Sequence, residues 1–253
     1  MPDDPGTFDP AEYGRHISAV YDSVAEYAFS TDTDATVAVL ADLADGGSVL
    51  EFGIGTGRLG LPLAQRGLRV CGIDGSAEML DQLRSKPGGA DLTTVVGNFA
   101  DTRVDGPFDL VVLVANTIYA LPSQDAQVQA FRNAADHLRP GGCFVIEAWV
   151  PDVGDFRAGR ALRIVSISDR RVVLEAVELD PVEQRMRTTK LFCGPDGLLA
   201  YPANHRYAWP AELDLMAAMA GMHRVHRWED WRRRPYTAAS RHHITVYAAN
   251  DRD

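Results

Sequence analysis

The chain has 253 residues, of which 46% are hydrophobic and 24% charged, enough for one large α/β domain with an addition. The 25 Lys and Arg residues against 35 Asp and Glu give a net charge of −10, which disfavours a nucleic-acid partner. The apolar run 110–115 is far shorter than the roughly 20 residues of a membrane span, and no export signal is present. Three cysteines without CxxC spacing indicate neither disulfides nor zinc. We therefore expect a cytoplasmic protein with no membrane partner.

Short apolar strand patterns alternate with helical patterns between 48 and 148, which is typical of βαβ units and a parallel sheet. The strands are apolar on most positions because helices cover both faces of such a sheet. The predicted strands are 48–52, 68–74, 92–96, 110–114 and 143–148. The predicted helices are 10–29, 34–43, 58–65, 77–84 and one from a Ser123 cap to 138.

The pattern changes beyond Pro151 to long alternating strands, which predict an antiparallel sheet. These strands are 163–168, 172–179 and 187–193, followed by a helix from 210 to 221 and strands at 222–228 and 243–249. We divide the chain into a core with N-terminal lid helices at 1–150, an antiparallel β insertion at 151–209, and the last helix and strands at 210–253.

A glycine-dense turn follows the first predicted strand, and an acid closes the second. Glycines at Gly53, Gly55 and Gly57 allow a ligand to approach the backbone and permit φ > 0. The carboxyl ends of neighbouring parallel strands lie side by side, so Asp74 can accept hydrogen bonds from both hydroxyls of a ribose. Together these features indicate a nucleoside-containing cofactor. Because 55–60 also matches GxGxxG, an NAD(P)-dependent oxidoreductase remains an alternative.

A second reading of the same turn, Glu51-x-Gly53-x-Gly55-x-Gly57, resembles motif I of the class I S-adenosylmethionine (SAM) methyltransferases. Further matches occur in the family's order at 72–80, 97–99, 108–111 and 137–144, so the resemblance covers about 13–148. It implies SAM as cofactor and S-adenosylhomocysteine (SAH) as product. The predicted fold is then α/β, Rossmann-like and doubly wound: a mostly parallel seven-stranded sheet, completed by the C-terminal hairpin, with the antiparallel insertion covering the active site.

The resemblance also implies a set of cofactor-binding residues. Gly53 and Gly55 would approach the methionine part, Asp74 would hold the ribose, and the backbone after the fourth strand would accept from the ammonium group. Asn98 stands where many members carry Asp, but its carbonyl oxygen can still accept from the adenine amino group. With Arg58 as a partner for a carboxylate of the cofactor, the set is Tyr21, Glu51, Gly53, Gly55, Gly57, Arg58, Asp74, Met79, Asn98, Phe99 and Ala115.

Candidate catalytic residues depend on the acceptor, because an amine can react without a strong base whereas a hydroxyl usually needs one. We name Glu147, Tyr119 and His205, in that order. Glu147 is an unusual acid at the end of an apolar strand. Tyr119 could instead have a structural role and pack against the insertion. His205 could instead lie on a surface strand without a catalytic role.

These observations predict methyl transfer from SAM to a nitrogen or oxygen of a small-molecule acceptor, in secondary metabolism. Tyr21-Asp22 and 147–149 resemble amino-sugar N-methyltransferases of antibiotic biosynthesis, but 116–120 lacks the histidine that such enzymes often carry there. A protein of this fold that binds SAM without transferring methyl is a further alternative. The sequence does not decide the oligomeric state, and a homodimer is one option.

Overall fold

The computed structural model describes residues 14, 18, 21, 22 and 32–250, except 155, 157 and 196. Most of the helix predicted at 10–29 lies outside these residues. Its four described positions include Tyr21 and Asp22, which are helical. None of the helices in the described part is long and apolar enough to cross a membrane.

Eleven strands form two sheets in the described residues. They are β1 Ser48–Phe52, β2 Arg69–Asp74, β3 Thr93–Val96, β4 Phe108–Leu113, β5 Leu138–Trp149, β6 Arg160–Ile167, β7 Val172–Asp180, β8 Arg185–Gly194, β9 Gly197–Arg206, β10 Met222–Trp228 and β11 His242–Ala249. The α-helices are α1 Thr33–Ala44, α2 Gly60–Gln65, α3 Ala77–Ser85, α4 Gln124–His137 and α5 Pro210–Met219.

The larger sheet has seven strands in the order β10-β11-β5-β4-β1-β2-β3, and only β11 runs antiparallel to its neighbours. This confirms the predicted seven-stranded, mostly parallel sheet. Alternate residues of its central strands enter two separate cores: Leu50 and Val111 pack on one face, Val49 and Leu110 on the other. Burial on both faces explains why these strands are almost uniformly apolar.

Local signals account for the helix starts. The Ser76 hydroxyl accepts from the Met79 N–H at 3.2 Å, and the Ser123 hydroxyl accepts from the Ala126 N–H at 3.1 Å. Both serines therefore cap helices as predicted. Pro210 occupies the first turn of α5, where its missing N–H costs nothing.

The smaller sheet contains four antiparallel strands in the order β6-β7-β8-β9, one more than predicted. The additional strand, β9, contains Pro202 and lacks regular alternation, so its sequence did not indicate a strand. β9 is an edge strand, where a proline is tolerated. The predicted antiparallel sheet is confirmed, and its number of strands is corrected from two or three to four.

The end of β9 is anchored to the carboxyl edge of the large sheet. The Gln127 side-chain amide, on α4, donates to the Arg206 carbonyl at 2.7 Å and to the Ile118 carbonyl at 3.1 Å. The Arg206 guanidinium, itself 7% exposed, pairs with Glu212 at 2.6 Å. The antiparallel sheet is thereby joined to the segment that follows β4.

Candidate active site

The glycine turn follows β1 in a conformation that requires its glycines. Gly53, Gly55 and Gly57 have φ of 72°, 56° and 83°, in the left-handed region that other residues rarely adopt. A Cβ on Gly53 would lie 2.8 Å from the Thr117 methyl carbon, so the segment after β4 packs directly against this turn. The turn therefore lies at the carboxyl ends of β1 and β4, where the strand order reverses and where sheets of this kind form a crevice.

Asp74 lies at the carboxyl end of β2, beside the glycine turn. One carboxylate oxygen accepts from the Gly55 N–H at 2.7 Å, and the other accepts from the Ser76 N–H at 2.9 Å. Burial raises the pKa of Asp74, and these two N–H donors oppose that rise. The acid thus fixes the turn and also places a negative charge at the strand edge.

Glu51 lies on β1, one residue before the end of that strand. It is 3% exposed, and its Oε2 atom has no hydrogen-bond partner among the described residues. Burial raises its pKa to about 8, with the Asp74 charge contributing, whereas the Arg58 charge and a hydrogen bond from the Gly60 N–H oppose the rise. A buried carboxyl oxygen without a partner is uncommon in proteins, and it is a ready acceptor for a cationic or hydrogen-bonding ligand.

The described N-terminal residues lie against the same turn. The Asp22 carboxylate accepts from the Thr56 hydroxyl at 2.6 Å and pairs with the Lys86 ammonium at 2.6 Å. Lys86 also donates to the Thr56 carbonyl at 2.7 Å. Burial raises the pKa of Tyr21, whose surroundings include the charges of Arg58 and Asp74. Thr56 and Lys86 were not predicted as site residues, because their partner Asp22 is distant in the chain.

The segment after β4 is strained. Ala115 and Asn116 have φ of 55° and 63°, a conformation that costs of order 1–3 kcal/mol for each residue with a Cβ. The Asn116 N–H donates to the Glu147 backbone carbonyl on β5 at 3.1 Å. In a planar trans peptide the Ala115 carbonyl points opposite to this N–H, and therefore away from β5.

The Glu147 side chain holds this strained segment in place. One carboxylate oxygen accepts from the Ala115 N–H at 3.0 Å, and the other accepts from the Trp231 indole N–H at 2.9 Å. Asn116 adds a further tie, since its side-chain oxygen accepts from the Trp149 N–H at 2.7 Å. Glu147 is 8% exposed, and both of its oxygens are occupied by donors from the protein.

Comparison with known proteins identifies relatives of this architecture. Residues 49–142 match the methyltransferase domain family. The cypemycin N-terminal methyltransferase of a Streptomyces species is 33% identical over 205 residues, which cover 80% of this chain and 83% of that protein. The structure of the CcbJ methyltransferase from Streptomyces caelestis is 37% identical, with a TM-score of 0.88 over 96% of this chain and 100% of that one.

The chain belongs to the SAM-dependent methyltransferases. The SAM-bound amino pentose methyltransferase CalS10 from Micromonospora echinaspora shares the fold, with 21% identity and a TM-score of 0.70 over 91% of this chain and 97% of that one. SAM is therefore the cofactor, and the dinucleotide interpretation of the glycine turn was wrong.

The crevice of this methyltransferase fits the chemistry of SAM. The buried Glu51 oxygen and the Ala115 carbonyl are both acceptors, and SAM carries an ammonium group and a sulfonium centre. Asp74 supplies a further anion at the edge of β2, where a ribose is held in sheets of this kind. When bound, SAM supplies an electrophilic methyl group on a positively charged sulfur.

The three residues predicted to contact the adenine already have protein contacts or are buried. The Asn98 side-chain oxygen already accepts from the Ala100 N–H at 2.9 Å. Phe99 is 8% exposed and stacks on Phe52, with ring centroids 5.8 Å apart, so it belongs to the core. Met79 is buried in the first turn of α3. An adenine contact by any of these three side chains stays a prediction.

Tyr119 is fully buried in the methyltransferase core. Its hydroxyl lies 2.9 Å from both the Trp149 carbonyl and the Ala208 carbonyl. Burial raises its pKa, with the Glu212 charge contributing. The tyrosine thus ties β5 to the segment after β9, and its hydroxyl proton is held between two carbonyl oxygens.

His205 lies on β9, where it pairs with Met186 of β8, and Met186 packs against the core. Its Nδ1 atom is buried and has no partner in the described part of the chain. Burial lowers its pKa to about 4, and the Lys190 charge contributes. The imidazole is therefore neutral at pH 7. In the described residues, no group of three or more His, Cys, Asp or Glu is arranged to hold a metal ion.

Proposed function

We propose that this methyltransferase transfers the methyl group to an amine nitrogen of a small-molecule acceptor in natural-product biosynthesis. The observation that carries this proposal is the state of the three candidate bases. Glu147 accepts N–H donors on both oxygens, Tyr119 is a buried phenol with a raised pKa, and His205 has a pKa lowered to about 4.

An amine acceptor can be methylated without a general base from the protein, whereas a hydroxyl acceptor usually needs one. A neutral amine already carries the lone pair that forms the new N–C bond as the S–C bond breaks, and the product releases its extra proton to water. A hydroxyl has to lose its proton during the attack, and a positioned base typically contributes 10²–10⁴-fold to such a step. For an amine, placement within reach of the methyl group can supply about 7–11 kcal/mol of the barrier.

The residues on the two sides of the crevice support placement of an amine near the methyl group. The glycine turn and the strained Ala115-Asn116 segment face each other across the ends of β1 and β4, with Thr117 against Gly53. The cypemycin enzyme, 33% identical, is named for methylation at an N-terminus, which is an amine. These observations favour nitrogen over oxygen and leave the scaffold of the acceptor open.

The proposal is tested with acceptors that differ only at the reacting atom. A panel of an aminohexose, a prolyl amide and a tripeptide with a free N-terminus is incubated with SAM and the enzyme, and each product is analysed by mass spectrometry. The matched controls are the N-acetylated and the hydroxyl analogues. We expect a 14 Da increase for at least one amine and none for its two controls.

The pH dependence gives a second test. With an amine acceptor, kcat/KM should rise with pH until the acceptor's own amine is deprotonated, and the midpoint should shift when an amine of different pKa is used. Tyr119→Phe should leave that midpoint unchanged. Methylation of a hydroxyl analogue with comparable kcat/KM would overturn the assignment to nitrogen.

A further inference from the structure

One face of the antiparallel sheet packs against the segment that follows β4. Residues that pair across antiparallel strands share a face of the sheet. Leu179, Met186 and His205 form one such row, because Met186 pairs with both of the others. Leu179 is buried in the same core as Ile118, and Met186 packs against that core. We call the face that carries this row the inner face.

His205 lies at the end of the inner face that meets this segment. β9 contacts the turn Thr117–Ala120. The carbonyl of Arg206, the next residue of β9, shares its hydrogen-bond donor with a carbonyl of this turn. Thr117 in turn packs against Gly53, so the glycine turn, the segment after β4 and the end of β9 are in direct succession. His205 is therefore placed on the side of the crevice that the acceptor enters.

Two imidazoles in the described residues have a buried nitrogen without a hydrogen-bond partner, and only one of them can meet a ligand. His243 is completely buried, and its other nitrogen lies 2.9 Å from the Thr245 hydroxyl, so this ring belongs to the core. His205 is partly exposed at the inner face, and its Nδ1 atom has no partner among the described residues. Buried polar atoms without a partner are uncommon, so this nitrogen needs an explanation beyond the fold.

The charge state of His205 decides which kind of group it can bind. Burial and the Lys190 charge lower its pKa to about 4, so at pH 7 the ring has one N–H donor and one lone pair. A neutral imidazole cannot balance a buried charge, so it suits a hydroxyl or an amide better than a carboxylate or a phosphate. Lys190 lies opposite Glu175 in the register of β7 and β8, so this pair adds no net charge to the inner face.

The surroundings of His205 are apolar and aromatic. Trp149 and Phe156, at the end of β5 and beyond it, are partly buried against the same core as Met186. Further along the inner face, the rings of Phe192 and Tyr201 contact each other edge to face, with centroids 5.3 Å apart. Small-molecule sites combine such walls with a few polar groups that fix the ligand. His205 has the position and the chemistry of a polar group of this kind.

We propose that His205 binds the acceptor, through a hydrogen bond between its imidazole and a hydroxyl or amide group near the reacting amine. The acceptor is then a small amine that carries a neutral polar group there, and not a phosphate or a carboxylate. This inference rests on the proposed function, because it takes the acceptor to be methylated at nitrogen. It gives His205 a binding role in place of the role of a base.

Steady-state kinetics test the proposal with the amine of the panel above that the wild type methylates. His205→Leu removes both ring nitrogens and should raise the KM for this acceptor roughly 10–50-fold, with little change in kcat or in the KM for SAM. His205→Asn keeps an amide near the position of Nδ1 and should restore most of the affinity. His226→Leu is the matched control, because His226 is exposed on β10 and stacks on Trp228.

The acceptor is changed in a parallel experiment. The analogues lack one polar group: monodeoxy aminohexoses, pyrrolidine in place of the prolyl amide, or a simple alkylamine in place of the tripeptide. Loss of the group that His205 binds should raise the wild-type KM roughly 10–50-fold. The same loss should change the KM of His205→Leu only slightly, because that variant has already lost the contact.

Far-UV circular dichroism and SAH binding check that each variant is folded, and His205→Phe replaces His205→Leu if the latter does not fold. An unchanged KM in the folded variant, or additive effects of the two changes, would overturn the role of His205 and leave transfer to nitrogen intact. A lower KM for an aminohexose phosphate than for the free aminohexose would overturn the neutral class of acceptor. If the wild type methylates no amine of the panel, the proposed function fails and this inference fails with it.

Discussion

The two sides of the crevice each bury a glutamate, and the two differ in what surrounds their oxygens. On the β5 side, Glu147 accepts from the Ala115 N–H and the Trp231 indole N–H. On the β1 side, Glu51 keeps one oxygen without a partner among the described residues, and burial raises its pKa to about 8. A buried carboxyl with donors on both oxygens contributes to the stability of the fold, whereas an oxygen without a partner costs stability and can accept from a ligand.

This contrast rests on the contacts of the two carboxyls, which the sequence does not show. Both glutamates lie in apolar strands near the same sheet edge, so each is an equally unusual acid in the sequence. Only the contacts show that Glu147 holds a strained segment while Glu51 keeps one carboxyl oxygen without a partner among the described residues. We therefore expect changes at Glu147 to affect stability first, and changes at Glu51 to affect the response to SAH.

The largest effect is expected from Glu147→Ala. This change leaves the Ala115 N–H and the Trp231 indole N–H without acceptors and releases the strained segment, which should cost about 3–4 kcal/mol of stability. Urea denaturation followed by circular dichroism measures the loss.

Two tryptophan variants isolate one of these hydrogen bonds. Trp231→Phe removes the indole donor together with part of a buried ring, and should cost about 2–3 kcal/mol. Trp228→Phe is the control, since Trp228 contacts His226 and Arg233 through its ring face. Equal costs for the two tryptophan variants would contradict the role that we give to Glu147.

The next largest effect is expected from Asp74→Asn, measured as SAH affinity by calorimetry. Removing the charge weakens the acceptor for ribose hydroxyls while keeping an oxygen for one neighbouring N–H, so the Kd should rise about 30–100-fold, or about 2–3 kcal/mol. Asp81→Asn, on the exposed side of α3, should leave the Kd unchanged. An unchanged Kd for Asp74→Asn would remove Asp74 from the cofactor site.

The glycine turn and Asp74 could be predicted, because each is marked by a pattern of neighbouring residues. Gly53 and Asp74 each terminate a strand whose apolar pattern is strong, so the turn and the acid were visible in the sequence. The partner of Glu147 could not be predicted from the sequence. Trp231 lies 84 residues further along the chain, and no repeating pattern links the two residues. β9 was missed for a different reason: Pro202 interrupts the alternation, and an edge position is defined only by the assembled sheet.

Glu51→Gln should change how the stability of the protein depends on pH, which tests the difference between Glu51 and Glu147. A carboxyl whose pKa rises from 4.5 to about 8 on folding contributes full stability below pH 4.5 and loses it as the pH rises toward 8. The Gln variant cannot lose this contribution. It should therefore gain about 3 kcal/mol relative to wild type between pH 5 and pH 7.5, as measured by urea denaturation without SAH.

The same variant should bind SAH more weakly. If the unpartnered Glu51 oxygen receives the ammonium group, wild-type affinity should increase about tenfold from pH 6.5 to pH 8 as the carboxyl ionises, and the Gln variant should lack this increase. Parallel pH profiles for the two proteins would contradict the assignment of Glu51 to the ligand.

Asp109, at the amino edge of the large sheet, provides an acid with the opposite behaviour. Its carboxylate accepts from the Ser48 N–H at 2.6 Å and the Ser48 hydroxyl at 2.8 Å and pairs with Arg139, and these contacts lower its pKa to about 2. A lowered pKa contributes stability above pH 4 that disappears as the pH falls toward 2. Asp109→Asn should therefore cost about 1 kcal/mol at pH 7, after allowance for solvent screening, and almost nothing at pH 2. Urea titrations at both pH values measure the loss in the free energy of unfolding. An equal loss at pH 2 would show that Asp109 stabilises the protein through packing and not through its charge.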